Sequence, residues 1–157
     1  MHYKYRVTKY DPKKRNENGH YQADEWTSIS DIGKVFSNKL LTKEEYVNVE
    51  NSYLFAIEAF LAEANISCLN ISSIERGEEY NFVQGQTIEL EKILEIARLS
   101  LREKLWCKLS LNHKAYIHFG YDYYMYIGVS RWCGNAISKA EKKGLFVEAY
   151  RSPYLRG

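Results

Sequence analysis

The chain has 157 residues, 45% hydrophobic and 27% charged, with only two prolines, a composition that excludes disordered and collagen-like chains and suits one globular domain, residues 1–157. Area scaling has roughly 70% of such a chain's surface buried on folding, so a core needs neither metal nor disulfide. The net charge of +2 is too small to announce a nucleic-acid partner, yet it is unevenly spread: residues 1–39 carry eight Lys/Arg and five Asp/Glu, residues 40–103 five and twelve, and residues 104–157 nine and three.

Residues 3 to 9 alternate Tyr3, Tyr5 and Val7 with Lys4, Arg6 and Thr8, the period of a half-buried strand. The same alternation leaves Met1–Arg6 without the apolar core of a signal peptide, and no apolar stretch is long enough to cross a bilayer, so the expected location is the cytoplasm and no membrane partner is expected. Asp11-Pro12 ends the strand, and Lys13 to Asp24, with Asn18-Gly19, reads as an exposed loop. Ser28 and Asp31 have capping-box spacing around one helical turn that Gly33 stops.

Thr42-Lys43-Glu44-Glu45 repeats that capping logic, and Tyr46, Val49, Tyr53, Ala56, Ile57, Phe60 and Leu61 follow at helical spacing. They predict a helix over about 43–64, ended at Asn65, with Glu44, Glu45, Glu50, Glu58 and Glu63 on its outer face. Cys68–Ile71 reads as a short strand, Glu75–Glu79 as a charged loop, and Thr87 as the cap of a second helix over about 88–103. From Leu105 the period becomes two: strands through Leu109, Ala115–Tyr121 and Tyr124–Val129 form an antiparallel meander. A third helix after Gly134, closed by Gly144, leads to a last strand at 145–150. This order predicts an α+β fold, helices packed on one face of a mainly antiparallel sheet.

Chemical motifs are sparse. The four histidines make no zinc-ligand spacing, no phosphate-binding or dinucleotide-binding glycine pattern occurs, and Cys68, Cys107 and Cys133 lack a C-x-x-C pair, so no metal or cofactor is expected and the thiols read as small hydrophobes. His118 falls on the strand face opposite Ile117 and Phe119; it reads either as a strand histidine paired with a neighbour or as a general base partnered by a second histidine such as His20. The acidic middle, with Glu44, Glu45, Glu50, Glu75, Glu78 and Glu79, would speed encounter with a basic protein, though an amphipathic helix also keeps such charges for solvation.

Three blocks, Asp24–Gly33 (DEWTSISDIG), Arg102–Leu109 (REKLWCKL) and His118–Gly128 (HFGYDYYMYIG), resemble a family of small bacterial proteins, some of which look like immunity proteins of contact-dependent growth inhibition or related polymorphic-toxin systems. The likeness spans most of the chain. It implies a non-enzymatic protein that neutralises a cognate toxin, often a nuclease, by tight binding in the cytoplasm. Within these blocks Trp26 and Trp106 read as core aromatics, and Gly120 and Gly128 as points where the sheet bends or bulges. The expected contacts with the toxin are Glu44, Glu45, Glu78 and Glu79 for charge, with Tyr121 and Tyr123 as rings left exposed at a turn. The alternative is an RNA-binding or RNA-processing protein that uses the basic terminal segments.

Overall fold

The alternation of residues 3–8 produces β1 (Tyr3–Thr8), which turns Tyr5 and Val7 inward and Lys4 and Arg6 to the other side of the sheet. In the computed structural model, which describes residues 1–155, the next thirty residues wrap the end of that strand. Ile29–Asp31 make the predicted helical turn, with the Asp31 carboxylate accepting the N–H groups of Thr27 (2.9 Å) and Ser28 (3.3 Å), and Gly33 leaves it at φ 94°. A hairpin absent from the sequence reading follows, β2 (Val35–Phe36) and β3 (Lys39–Leu40). Its turn residues Ser37 and Asn38 stand at φ 48° and 64°, a primed turn built without the usual Asn-Gly or Asp-Gly pair.

The helix α1 (Lys43–Glu63) starts where expected, its Thr42 hydroxyl accepting the Glu45 N–H at 3.1 Å, and Asn65 at φ 59° carries the chain away. Then come β4 (Cys68–Glu75), β5 (Thr87–Glu89) and α2 (Leu90–Leu101). Thr87 is therefore not a cap. It pairs across to β4, donating to the Asn70 side chain at 2.7 Å, and the helix starts three residues later. The meander is present as β6 (Trp106–Leu111), β7 (Ala115–Phe119) and β8 (Met125–Val129), followed by α3 (Gly134–Lys142) and β9 (Phe146–Ala149).

Seven strands form one antiparallel sheet in the order β5-β4-β6-β7-β8-β1-β9, with β1 seated between β8 and β9. The fold is α+β. Ile71, Leu109, Ile117, Ile127 and Val7 face Tyr53, Ile57, Phe60, Ile93 and Ile96 of α1 and α2 in one contiguous core. Each such side chain contributes about 1.5–3 kcal/mol on burial.

The face away from the helices is crossed by residues 150–155. Ser152 Oγ lies 2.7 Å from His118 Nδ1, Lys108 Nζ donates to the Tyr154 carbonyl at 2.9 Å, and the Tyr154 ring stands edge-on to Trp106 and Tyr126. Trp106 therefore belongs to this face and not to the core, with its indole N–H donating to the Phe119 carbonyl at 2.9 Å. Gly128 sits in an unbroken β7–β8 register and not in a bulge; the Tyr116 ring lies where its side chain would be. Gly120 opens the β7–β8 turn, and the sheet's irregularity is instead in β4, between Ile71 and Ser73.

Candidate interaction surface

The β7–β8 turn separates the two tyrosines that the sequence groups together. Tyr121 is 80% exposed, whereas Tyr123 is 2% exposed and cannot meet a partner as expected. The Tyr123 ring packs against Trp26, Tyr46 and Tyr53, and its hydroxyl donates to that of Tyr46. Burial and that bond raise the Tyr123 hydroxyl far above its ordinary pKa, and burial takes Tyr46 up to about 12. The inward swing of Tyr123 costs backbone strain, since Asp122 and Tyr123 stand consecutively at φ 60° and 67°.

Beneath these rings lies Glu50, which the sequence reading sets on the outer face of α1. It is fully buried. Arg102 grips its carboxylate with two bonds of 2.6 and 2.8 Å, and Arg98 approaches at 3.2 Å, so the charge is paired where it is desolvated. Glu63 is also committed, accepting the N–H groups of Ala136 (2.7 Å) and Asn135 (3.3 Å) and so capping α3 from a neighbouring helix. Glu44, Glu78 and Glu79 are exposed and Glu45 is half-exposed, 3.7 Å from Lys39.

Register places the C-terminal ends of β4 and β7 beside the N-terminal end of β6 at one end of the sheet. There a cavity of about 690 Å³ opens, lined by Glu75, Arg76, Glu103, Trp106, Tyr121 and Tyr154. Its three rim loops share an unusual backbone: Arg76 stands at φ 62°, Glu103 at φ 60°, and Tyr121 precedes the strained Asp122-Tyr123 pair. Glu103 breaks two local rules. It occupies the left-handed position that closes α2, where Lys104 N–H bonds Leu99 O and Glu103 N–H bonds Ser100 O, a position that favours glycine. It also adds negative charge at a helix C-terminus. Among the described residues, neither the Glu75 nor the Glu103 carboxylate has a cation within salt-bridge distance, while Arg76 donates to the Glu103 carbonyl at 3.0 Å.

His118, Cys107 and Lys9 are enclosed. His118 is 4% exposed, and burial together with the Lys108 ammonium lowers its imidazole to about 4, so it is neutral and enclosed. His20 lies in the 16–22 loop, its backbone bonded to Asn16 and Gln22, whereas His118 bonds Ser152. Burial raises the Cys107 thiol to about 12. Lys9 sits over Trp26 and Tyr10 with Glu25 at 3.1 Å, and burial lowers it more than the carboxylate restores. Of the basic loop, Arg15 is tied to Tyr124 and Gly19.

Of the expected contact residues, then, the fold leaves Glu44, Glu45, Glu78, Glu79 and Tyr121 at the surface and withdraws Tyr123. Glu75 and Glu103, beside Tyr121, are not among the expected contacts; the signal for Glu103 is an anionic residue in place of glycine after a helix. No helix among the described residues is long and apolar enough to cross a membrane, and no group of His, Cys, Asp or Glu among them is placed to hold a metal ion. No family model, curated protein or solved structure matches this chain.

Proposed function

We propose that the chain is an immunity protein: in the cytoplasm it binds a cognate bacterial toxin, most simply a nuclease, and occupies the toxin's working surface. The observation that carries this reading is the Tyr121 groove. A large ring is held in solvent beside two carboxylates without cation partners among the described residues, on loops that pass through left-handed backbone at Arg76 and Glu103. An aromatic anchor flanked by carboxylates suits the basic surface with which a nuclease holds phosphate. Glu78 and Glu79, exposed in the turn that follows Arg76 and Gly77, add acidic charge next to it in the chain.

Coexpression with the toxin domain encoded beside its gene tests the reading. Growth should be protected, the two chains should copurify one to one, and Tyr121→Ala should abolish protection while leaving unfolding within about 0.5 kcal/mol of the parent. Turnover by the purified chain that disappears on replacing one histidine would overturn it.

A further inference from the structure

Between α1 and α2 runs a furrow on the side of the helices away from the sheet. Two adjoining hollows, about 460 and 410 Å³, share Glu91 and make it continuous. Its floor is apolar: Leu54 and Leu61 of α1 are buried beneath and Leu94 of α2 is half-exposed, while Leu99, about 140° further round α2, continues the apolar lining over that helix toward Tyr80. Its rim carries Glu58 from α1 and Glu89 and Glu91 from the start of α2. Among the described residues these three carboxylates meet no cation within salt-bridge distance, whereas Glu95 has Lys92, and Arg98 is drawn down to Glu50 and Asn51. Glu91 also suits the α2 dipole, but Glu58 lies in the middle of α1 and has no such role.

We propose that this furrow seats a basic amphipathic helix of the partner. The inference rests on the reading of the chain as an inhibitor of a basic protein, and names the segment it grips. Charge complementarity selects lysine and arginine on the flanks of the occupant, and the leucine floor selects an apolar stripe between them. The walls select helix over strand. Both are α-helices whose backbone groups are spent internally along the furrow, so an extended segment would find no partners for its own N–H and C=O groups, while a helix pairs its own except at its ends. From Leu90 to Leu99 α2 rises about 14 Å, the length of roughly ten helical residues, enough for apolar anchors at i, i+3 or i+4, and i+7. At the Tyr80 end the furrow meets the short helical turn that also carries Glu78 and Glu79.

The probe is a synthetic 14-residue leucine and lysine peptide with its leucines at helical spacing, compared with the same composition in strict alternation, titrated into the isotope-labelled full chain. The helical peptide should shift the resonances of Glu58, Leu94 and Leu99, and bind at least about tenfold tighter than the alternating one. Leu94→Asp and the surface pair Glu58→Lys/Glu91→Lys should each weaken it by about tenfold or more, the latter also flattening the salt dependence. Equal binding of the two peptides, shifts elsewhere, or indifference to both variants would overturn the proposal, as would self-association of the chain through this face in sedimentation. In the toxin protection assay, loss with Tyr121→Ala but full protection by Leu94→Asp and the Lys pair would remove the furrow and leave the immunity reading standing. Failure of the parent chain to protect would remove the reading itself.

Discussion

Acidification should loosen the molecule through one residue. His118 has its imidazole at about 4 in the fold, held there by burial and then by Lys108, whereas an unfolded histidine titrates near 6.5. Between those values the unfolded chain takes up a proton that the folded chain refuses. The stability this neutral ring supports is therefore complete above about pH 6.5 and is lost as pH falls toward 4. The displacement of about 2.5 pH units corresponds to about 3 kcal/mol over the whole window, of which about 2 kcal/mol is gone by pH 5. Urea unfolding at pH 7 and pH 5, run on the parent and on His118→Gln, isolates the effect, because glutamine cannot titrate. The parent should lose about 2 kcal/mol more than the variant over that interval. Residues 150–155, which cover the ring through Ser152 and Tyr154, should show faster amide exchange first. An identical loss in parent and variant would refute the reasoning.

Arg102→Met should destabilise the fold by about 3–5 kcal/mol, because it strands the buried Glu50 charge with Arg98 alone; chemical unfolding measures it. Glu103→Gly should move the other way, raising stability by about 1 kcal/mol through relief of the left-handed backbone while weakening toxin binding in a titration; a gain in both would deny the residue its proposed contact. Gly128→Ala should cost about 1–3 kcal/mol, read as a fall in the unfolding midpoint, because the new methyl group collides with the Tyr116 ring.

The parts of the fold that were legible in the sequence are those in which one local signal agreed with the packing. Thr42 followed by Tyr46, Tyr53, Ile57 and Phe60 specified α1, and the change of period at Leu105 specified the meander. The hairpin at 35–40 escaped because Ser37-Asn38 is not a usual primed-turn pair, and its Val35 and Leu40 stay exposed where alternation has no core to report. Thr87 imitated a cap because a β-branched hydroxyl residue before an apolar run serves a strand edge equally well. Glu50 was misplaced by its charge and not by its position: 46, 50, 53 and 57 are one helical stripe, and the paired Arg98 and Arg102 were the available sign of a buried counterion. As for the candidate site, Tyr121 was legible as a turn aromatic. The groove was not, because three loops distant in the chain converge there only through the register of β4, β6 and β7.

The seat of β1 has a consequence for biogenesis. Tyr5 finds its two neighbours in Ile127 and Ala149, so β1 stays unpaired during synthesis until β8 has been made, and its second edge stays open until β9 follows. Until then β1 presents an open hydrogen-bonding edge to any other nascent copy. Completion of the sheet is thus a late, long-range event whose rate is set by topology, and slow refolding that speeds on pre-tethering residue 5 to residue 149 is its kinetic signature.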